Sequence, residues 1–214
     1  NRYVLQIPYA LYNRRLLHTL LPCSNVSFYI SYNKFMYQKT FIIFFLSISL
    51  NLASSEVALE IDISEQRLYV MKDNGILSSY PISSSEYGEG STANSFKTPL
   101  GDHVIKEMIG DGAKINTIFK SRINTSRQAE IIHHPLDSDD DYVTSRIMWL
   151  DGIEPGVNKG KGIDSFNRYI YIHGTHEEGL IGLKASHGCI RMFNLDAIEL
   201  FNVVKKGTKV QIRT

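Results

Sequence analysis

The sequence has almost no net charge, few cysteines and no long apolar run. Lys and Arg number 23 against 22 Asp and Glu, so the formal charge is +1 for 214 residues. A nucleic-acid-binding chain or a polybasic membrane surface would carry an excess of basic residues, so the charge balance indicates neither. We also find no internal repeat and no glycine-rich dinucleotide or phosphate loop. With 43% hydrophobic residues, the chain can bury one sizeable core.

The apolar run near the N-terminus is too short to span a bilayer. Residues 41–50 supply about ten mostly apolar positions, whereas a spanning helix needs roughly 20. A lysine precedes this run, and small residues follow it at Ala53 and Ser55. We therefore predict a signal peptide at residues 36–55, cleaved after Ser55, and export to the periplasm or cell envelope; an uncleaved anchor is the alternative. Residues 1–35 have no periodicity and are interpreted as a non-native upstream extension.

The scarcity of cysteine directs attention to one thiol. Of the two cysteines, Cys23 lies upstream of the predicted signal peptide, so Cys189 is alone in residues 56–214. An unpaired thiol in an exported protein is more often reactive than structural. The alternative is a buried, inert cysteine.

Short alternating segments separated by turn residues predict a mainly β fold with a few short helices. Asn74-Gly75 is typical of a hairpin turn. Asn194 is a favourable N-cap for a helix over 195–205, which Gly207 would end. The predicted strands are residues 57–64, 68–71, 76–77, 80–83, 103–109, 146–150, 168–172 and 208–212.

Residues 110–145 are polar and only weakly periodic, which predicts a long loop that acts as a lid or binding wall. Within it, His133-His134 and the acidic residues 137–141 could be metal ligands, but their spacing fits no EF-hand or zinc pattern and favours a solvated acidic turn. Trp149 could stack on a substrate, although a core or rim position is the more common use of a lone tryptophan.

The chemistry-bearing residues are concentrated in His173-Gly174-Thr175 and Ser186-His187-Gly188-Cys189-Ile190-Arg191. Cys189 would be a nucleophile, ionised by a neighbouring imidazole. Gly188 permits a tight turn that could aim its own amide and that of Cys189 at a developing oxyanion.

Other roles for these residues are open. A zinc site from His173, His187 and Cys189 would lack a fourth ligand. Ser186 is interpreted as a positioning hydroxyl, because the cysteine three residues later ionises more readily. Arg191 could bind a substrate carboxylate or tie the loop down.

The two motifs resemble the signature of the L,D-transpeptidase catalytic domain, whose members crosslink peptidoglycan through a cysteine. The resemblance extends to residues 66–70 and 98–101 and covers roughly residues 57–213, so residues 56–214 are interpreted as one such domain. It implies a mixed, β-sandwich or barrel-like fold. In many members an Asn follows the cysteine by two positions, where this chain has Arg191, a variant familiar from Gram-negative envelopes.

The resemblance also implies roles for individual residues. Cys189 would be the nucleophile, His173 its base, and the carbonyl of Gly174 the group that orients His173. His187 and Gly188 would shape the site, and Thr175, Ser186 and Arg191 are assigned to substrate binding.

The implied reaction transfers an acyl group from a peptidoglycan stem peptide to an amine, through a thioester, without a cofactor or metal. The acceptor would be a second stem or an envelope-protein lysine, and we expect a monomer. The alternatives are an L,D-carboxypeptidase, a catalytically inactive peptidoglycan-binding protein and a general envelope cysteine peptidase.

Overall fold

The computed structural model describes residues 56–214. The predicted extension at 1–35 and the signal peptide at 36–55 lie outside the described residues. Within residues 56–214, no helix has the length and apolar character needed to cross a membrane.

The described part of the chain forms ten strands and one α-helix. The strands are β1 (Ala58–Asp62), β2 (Arg67–Lys72), β3 (Gly75–Pro81), β4 (Gly101–Ile109), β5 (Thr117–Lys120), β6 (Ile123–Gln128), β7 (Val143–Gly152), β8 (Tyr171–Thr175), β9 (Ile190–Met192) and β10 (Lys209–Arg213). The helix is α1 (Asn194–Val203), and Glu178–Leu180 form a 3-10 turn. The predicted mainly β fold is confirmed.

All ten strands belong to one mixed sheet. Its main path runs β3-β2-β1-β10-β4-β7-β5-β6, while β8 pairs with β7 and β9 pairs with β8. β1 is parallel to β10 and β8 is parallel to β9, whereas the other pairs are antiparallel. The sheet therefore combines local hairpins with two long-range parallel pairings, and one of the latter carries the site.

The main core is built from alternating strand residues and one face of α1. In β1, Leu59 and Ile61 are 1% and 0% exposed. α1 packs on β7 and β8 and contributes buried Ala197 and Leu200. Full burial of a Leu or Ile side chain contributes about 1.5–3 kcal/mol. This packing fixes β8, which carries the histidine of the first motif.

The first hairpin turns one residue earlier than predicted. Lys72 pairs with Gly75, so Asp73 and Asn74 form the two-residue loop, with φ of 51° and 63°. A type I′ turn requires positive φ at both positions, which Asp and Asn tolerate. Gly75 consequently begins β3, and β3 absorbs the start of the separately predicted strand at 80–83.

The predicted long loop at 110–145 contains a β-hairpin. β5 pairs with β6, and β5 also pairs with the start of β7. Five of the six residues of β6 are exposed. A strand with no buried face gives no apolar alternation, so the loop prediction was wrong over residues 117–128.

β8 begins three residues after the predicted start at 168. The Arg168 amide donates to the Asp164 carbonyl (3.0 Å), the Tyr169 amide donates to the Phe166 carbonyl (3.0 Å), and Tyr169 has φ of 59°. This turn delays the strand. His173 therefore lies in the middle of β8, whereas the predicted strand at 168–172 ended one residue before it.

The helix differs from its prediction at both ends. α1 includes Asn194 and ends at Val203 rather than Lys205, and Phe193 occupies the N-cap position without a side-chain cap. Val204 is already extended (ψ 168°). Gly207, with φ of 89°, lies in the turn before β10 and does not end the helix.

Candidate active site

The parallel pairing of β8 and β9 brings the two motifs together. His173 pairs with Arg191 and Ile172 with Ile190, and Cys189 immediately precedes β9 beside Tyr171. The Tyr171 amide donates to Cys189 Sγ at 3.4 Å. Alternate residues of a strand point to the same face of a sheet, and so do neighbours in adjacent strands. The side chains of Tyr171, His173 and Cys189 therefore lie on one face of the sheet.

His173 is buried, with 2% exposure, and held in one orientation. Its Nδ1 lies 2.7 Å from the Gly174 carbonyl. A carbonyl only accepts, so Nδ1 carries the hydrogen and Nε2 is the unprotonated nitrogen of the neutral ring. Burial lowers the pKa of His173 to about 4, although Asp141 and the Gly174 carbonyl act in the opposite direction. The ring is therefore a neutral proton acceptor at physiological pH.

Gly174 leaves no room for a side chain. A Cβ at this position would lie 2.6 Å from Asn194 Oδ1 and 3.0 Å from the Thr144 carbonyl. Asn194 is fixed in turn, since its Oδ1 accepts from Thr144 Oγ1 (2.6 Å) and its Nδ2 donates to the Thr175 carbonyl (2.6 Å). The predicted N-cap residue instead joins α1 to β7 and β8.

Cys189 is a neutral thiol in the resting structure. Its Sγ also lies 3.4 Å from the Tyr169 carbonyl, to which it donates. Burial raises the pKa of the Cys189 thiol to about 12, against the opposing effects of the Tyr171 amide and of Arg191 and Arg168. Ionisation therefore requires proton transfer to a base.

The turn before Cys189 depends on glycine and on one hydroxyl. Gly188 has φ of 117°, and a Cβ there would lie 3.2 Å from the Phe96 carbonyl. Ser186 Oγ donates to the Cys189 carbonyl (2.6 Å) and accepts from the Gly188 amide (3.2 Å). The Gly188 amide is thus engaged, whereas the Cys189 amide makes no backbone hydrogen bond within residues 56–214 and so has its hydrogen available for an oxyanion.

Arg191 and Thr175, both assigned to substrate binding from sequence, are buried. Arg191 is 1% exposed; its Nη1 donates to Glu177 Oε2 (2.9 Å) and its Nη2 lies 2.8 Å from Asp141 Oδ1. Thr175 Oγ1 accepts from the Glu177 amide at 3.2 Å. These contacts support the alternative in which Arg191 ties the loop down.

Asp141 and Glu177 were not identified from the sequence as site residues. Asp141 Oδ2 lies 2.9 Å from His187 Nδ1, and Glu177 Oε1 accepts from Ser138 at both the amide (2.7 Å) and the hydroxyl (2.6 Å). The acidic turn is therefore not merely solvated. The only clue in the sequence was Arg191 itself, because an arginine that becomes buried needs carboxylate partners.

The β5–β6 hairpin covers one side of the site. Arg122, in its turn, donates to the Tyr171 hydroxyl (3.2 Å), and its guanidinium lies 4.8 Å from the Trp149 ring centroid and 4.9 Å from that of Tyr169. Trp149 stacks on Phe166 with centroids 3.9 Å apart. The tryptophan is consequently held between protein groups, and it packs against the same buried cluster as Cys189, which consists of Phe119, Ile147 and Tyr171.

His133 and His134 lie outside this constellation. His133 Nδ1 is 3.9 Å from Glu178 Oε2. Among residues 56–214, no group of three or more His, Cys, Asp or Glu side chains is arranged to hold a metal ion.

Comparison with known proteins identifies the family. The family model described as the L,D-transpeptidase catalytic domain, YkuD, matches residues 56–212, most of the chain. This chain belongs to the L,D-transpeptidase family. The match begins at the first described residue and includes both motifs.

The similarity to individual relatives of the L,D-transpeptidase family is local. YkuD of Bacillus subtilis (strain 168) is 54% identical over 41 residues, which are 19% of this chain and 25% of that protein. The "Probable L,D-transpeptidase YbiS" of Escherichia coli (strain K12) is 50% identical over 44 residues, 21% of this chain and 14% of that protein. An L,D-transpeptidase structure from Mycobacterium smegmatis is 19% identical, with TM-score 0.45, over 75% of this chain and 59% of the other.

Proposed function

We propose that this chain is a peptidoglycan L,D-transpeptidase that uses Cys189 as its nucleophile. One observation carries the proposal: parallel β8 and β9 place Cys189 on the face of His173, whose Nδ1 is bound to the Gly174 carbonyl. A thiol, a base and a group that orients the base are the elements of nucleophilic catalysis. Family membership supplies the class of reaction.

In the first half-reaction, Cys189 Sγ attacks the carbonyl carbon of the third stem residue, commonly diaminopimelate. His173 Nε2 takes the thiol proton and delivers it to the nitrogen of the departing D-alanine. A carbon–sulfur bond forms and the peptide bond breaks, leaving a thioester. The Cys189 amide donates to the oxyanion that develops on the way.

In the second half-reaction, an amine attacks the thioester. The carbon–sulfur bond breaks, a new amide forms, and His173 carries the proton from the amine to the departing sulfur. No ATP is needed, because the first peptide bond supplies the acyl group. Water as the acceptor would make the same site a carboxypeptidase.

The high pKa of Cys189 and the low pKa of His173 support a mechanism in which both groups rest uncharged. Proton transfer then accompanies attack on the carbonyl, and charge is present only while the substrate reacts. Such a site is poised to use interactions that strengthen in the transition state.

The substrate would be a stem peptide, and the enzyme would act in the periplasm or cell envelope as a monomer. The hairpin turn with Arg122 and the rim with Trp149 would form the wall against which the stem packs. Ser186 and Arg191 would support the reacting cysteine without contacting substrate. Ser186 would act through its hydrogen bonds in the turn, and Arg191 through its ion pairs.

The test is incubation of the purified chain with disaccharide-tetrapeptide, followed by mass analysis of protein and muropeptides. We expect release of D-alanine, a thioester adduct on Cys189 and a 3→3 crosslinked dimer. The control is Cys189→Ala, which should keep its fold by circular dichroism and lose turnover. Tripeptide alone would indicate a carboxypeptidase, and turnover retained by Cys189→Ala would contradict the assignment of the nucleophile.

A further inference from the structure

The carboxylate of Asp141 contacts residues on both sides of the nucleophile in the sequence. Asp141 Oδ2 lies 2.9 Å from Nδ1 of His187, two residues before Cys189, and Asp141 Oδ1 lies 2.8 Å from Nη2 of Arg191, two residues after it. Asp141 comes from the segment that precedes β7, about 50 residues away in sequence from the cysteine turn. A single side chain therefore fixes both flanks of the cysteine.

We propose that Asp141 is a positioning residue for the Cys189–His173 pair, which holds the cysteine turn in register and provides negative charge facing His173. The role rests on the proposed function, since it concerns the same reaction. It does not require contact between Asp141 and substrate.

The segment that carries Asp141 is anchored before it reaches the site. The Ile132 amide donates to the His176 carbonyl (2.8 Å), the Gly179 amide donates to the Ile132 carbonyl (2.9 Å), and Ser138 binds Glu177. Glu177 also forms an ion pair with Arg191, through the guanidinium nitrogen Nη1 that does not face Asp141. Glu177, Arg191, Asp141 and His187 thus form a row of groups in which each contacts the next.

The carboxylate is ionised in this setting. Partial burial alone would raise the pKa of Asp141, but the ion pair with Arg191, the protonated form of His173 and the hydrogen bond with His187 lower it overall. An aspartate beside a buried guanidinium keeps its charge at neutral pH, because loss of that charge would leave the cation with less compensation.

The charge acts on the two reacting groups in a defined way. It raises the pKa of His173 and so favours the imidazolium that forms during attack, and it raises the pKa of the Cys189 thiol and so disfavours a free thiolate. Two other charged groups act on these two, Arg168 in the turn before β8 and Arg191 on β9, and the Tyr171 ring lies edge-on to His173. Loss of the carboxylate should therefore slow turnover while making the thiol easier to ionise.

The test compares Asp141→Asn with Asp139→Asn in the purified full chain. Asp139 is an exposed neighbour whose carboxylate makes no hydrogen bond or ion pair within residues 56–214, so its substitution should leave both readouts unchanged. For Asp141→Asn we expect kcat to fall about 10²-fold with little change in KM, the scale of a small displacement of reacting groups. We also expect alkylation of Cys189 by iodoacetamide at pH 8 to become about threefold faster or more. The alkylation is followed by mass analysis of the peptide that contains Cys189, so that Cys23 does not contribute.

A charge-retaining variant separates the loss of charge from loosening of the turn. Asp141→Glu should keep the alkylation rate near that of the unaltered chain, whereas a turn that merely opens would raise the rate in both variants. An unchanged alkylation rate in Asp141→Asn, or an equal rise in Asp141→Glu, would overturn the proposal. If the two Asp141 variants alkylate as described but the unaltered chain never forms product from tetrapeptide, the proposed function fails while the role of Asp141 at the thiol stands.

Discussion

Replacing Gly174 by alanine should damage stability and catalysis together, because the new methyl group meets atoms that have little freedom to move. A Cβ there lies 2.6 Å from Asn194 Oδ1, 3.0 Å from the Thr144 carbonyl and 3.1 Å from Thr144 Oγ1. Asn194 Oδ1 is held by two hydroxyls at 2.6 Å, those of Thr144 and Ser145. Forcing a methyl group into a packed site costs about 1–3 kcal/mol.

A cost of about 2 kcal/mol lowers the melting temperature of a domain of this size by about 4–8 °C. The Gly174 carbonyl also orients His173, so displacement of β8 from α1 should misalign the base. A shift of about 1 Å at a reacting group reduces the rate on the order of 10²-fold. The measurements are urea unfolding, thermal melting and kcat with disaccharide-tetrapeptide.

The matched control is Gly75→Ala in the first hairpin. Its Cβ would approach only the Lys72 carbonyl, at 3.6 Å, and its φ is not positive. A substitution of this kind usually changes stability by less than about 0.5 kcal/mol. If Gly174→Ala matches Gly75→Ala in both melting temperature and kcat, the close-packing argument for Gly174 is refuted.

Three further predictions concern the reacting groups. His173→Ala should lose far more activity than His187→Ala, because His173 is buried on the nucleophile's face and His187 is exposed; the reverse order in kcat would overturn the assignment of the base. The acid limb of kcat/KM should lie near pH 4 and not near 6.5, since His173 must be neutral to accept a proton and its pKa is about 4; activity then falls as the pH drops through that value, and a limb near 6.5 would exclude this histidine as the titrating base. A carbapenem should add its mass once to the chain and not to Cys189→Ala, as the family resemblance implies, and an unchanged intact mass would count against a reactive Cys189.

The sequence was sufficient to predict a strand where apolar residues alternate with polar ones. β1 and β10 were predictable because alternate residues enter the core, Leu59 and Ile61 in the first and Val210 and Ile212 in the second. The two motifs could be joined because a cysteine and two histidines in a glycine-rich frame suit one chemistry. β6 was missed because it has no buried face.

Other errors came from tertiary contacts that local patterns do not encode. Asn194 is a good N-cap by residue type, but its amide group is satisfied by β7 and β8, so the cap position moved to Phe193. Asp141 was indistinguishable from its acidic neighbours in sequence. Its role depends on contact between the 129–142 segment and the buried Arg191 on β9. Only the topology of the fold brings these two parts of the chain together.

The position of β10 in the sheet has a consequence for how the domain folds. Leu59 of β1 pairs with Val210 of β10, so this contact closes a loop of about 150 residues, and β10 also separates β1 from β4. Contacts of such sequence separation slow folding. A nascent chain that still lacks β10 has two unpaired strand edges at the centre of its sheet, so synthesis of residues 209–213 becomes the step that commits the domain to its native state. Until then, the exposed edges of β1 and β4 are where a chaperone would bind and where aggregation would begin.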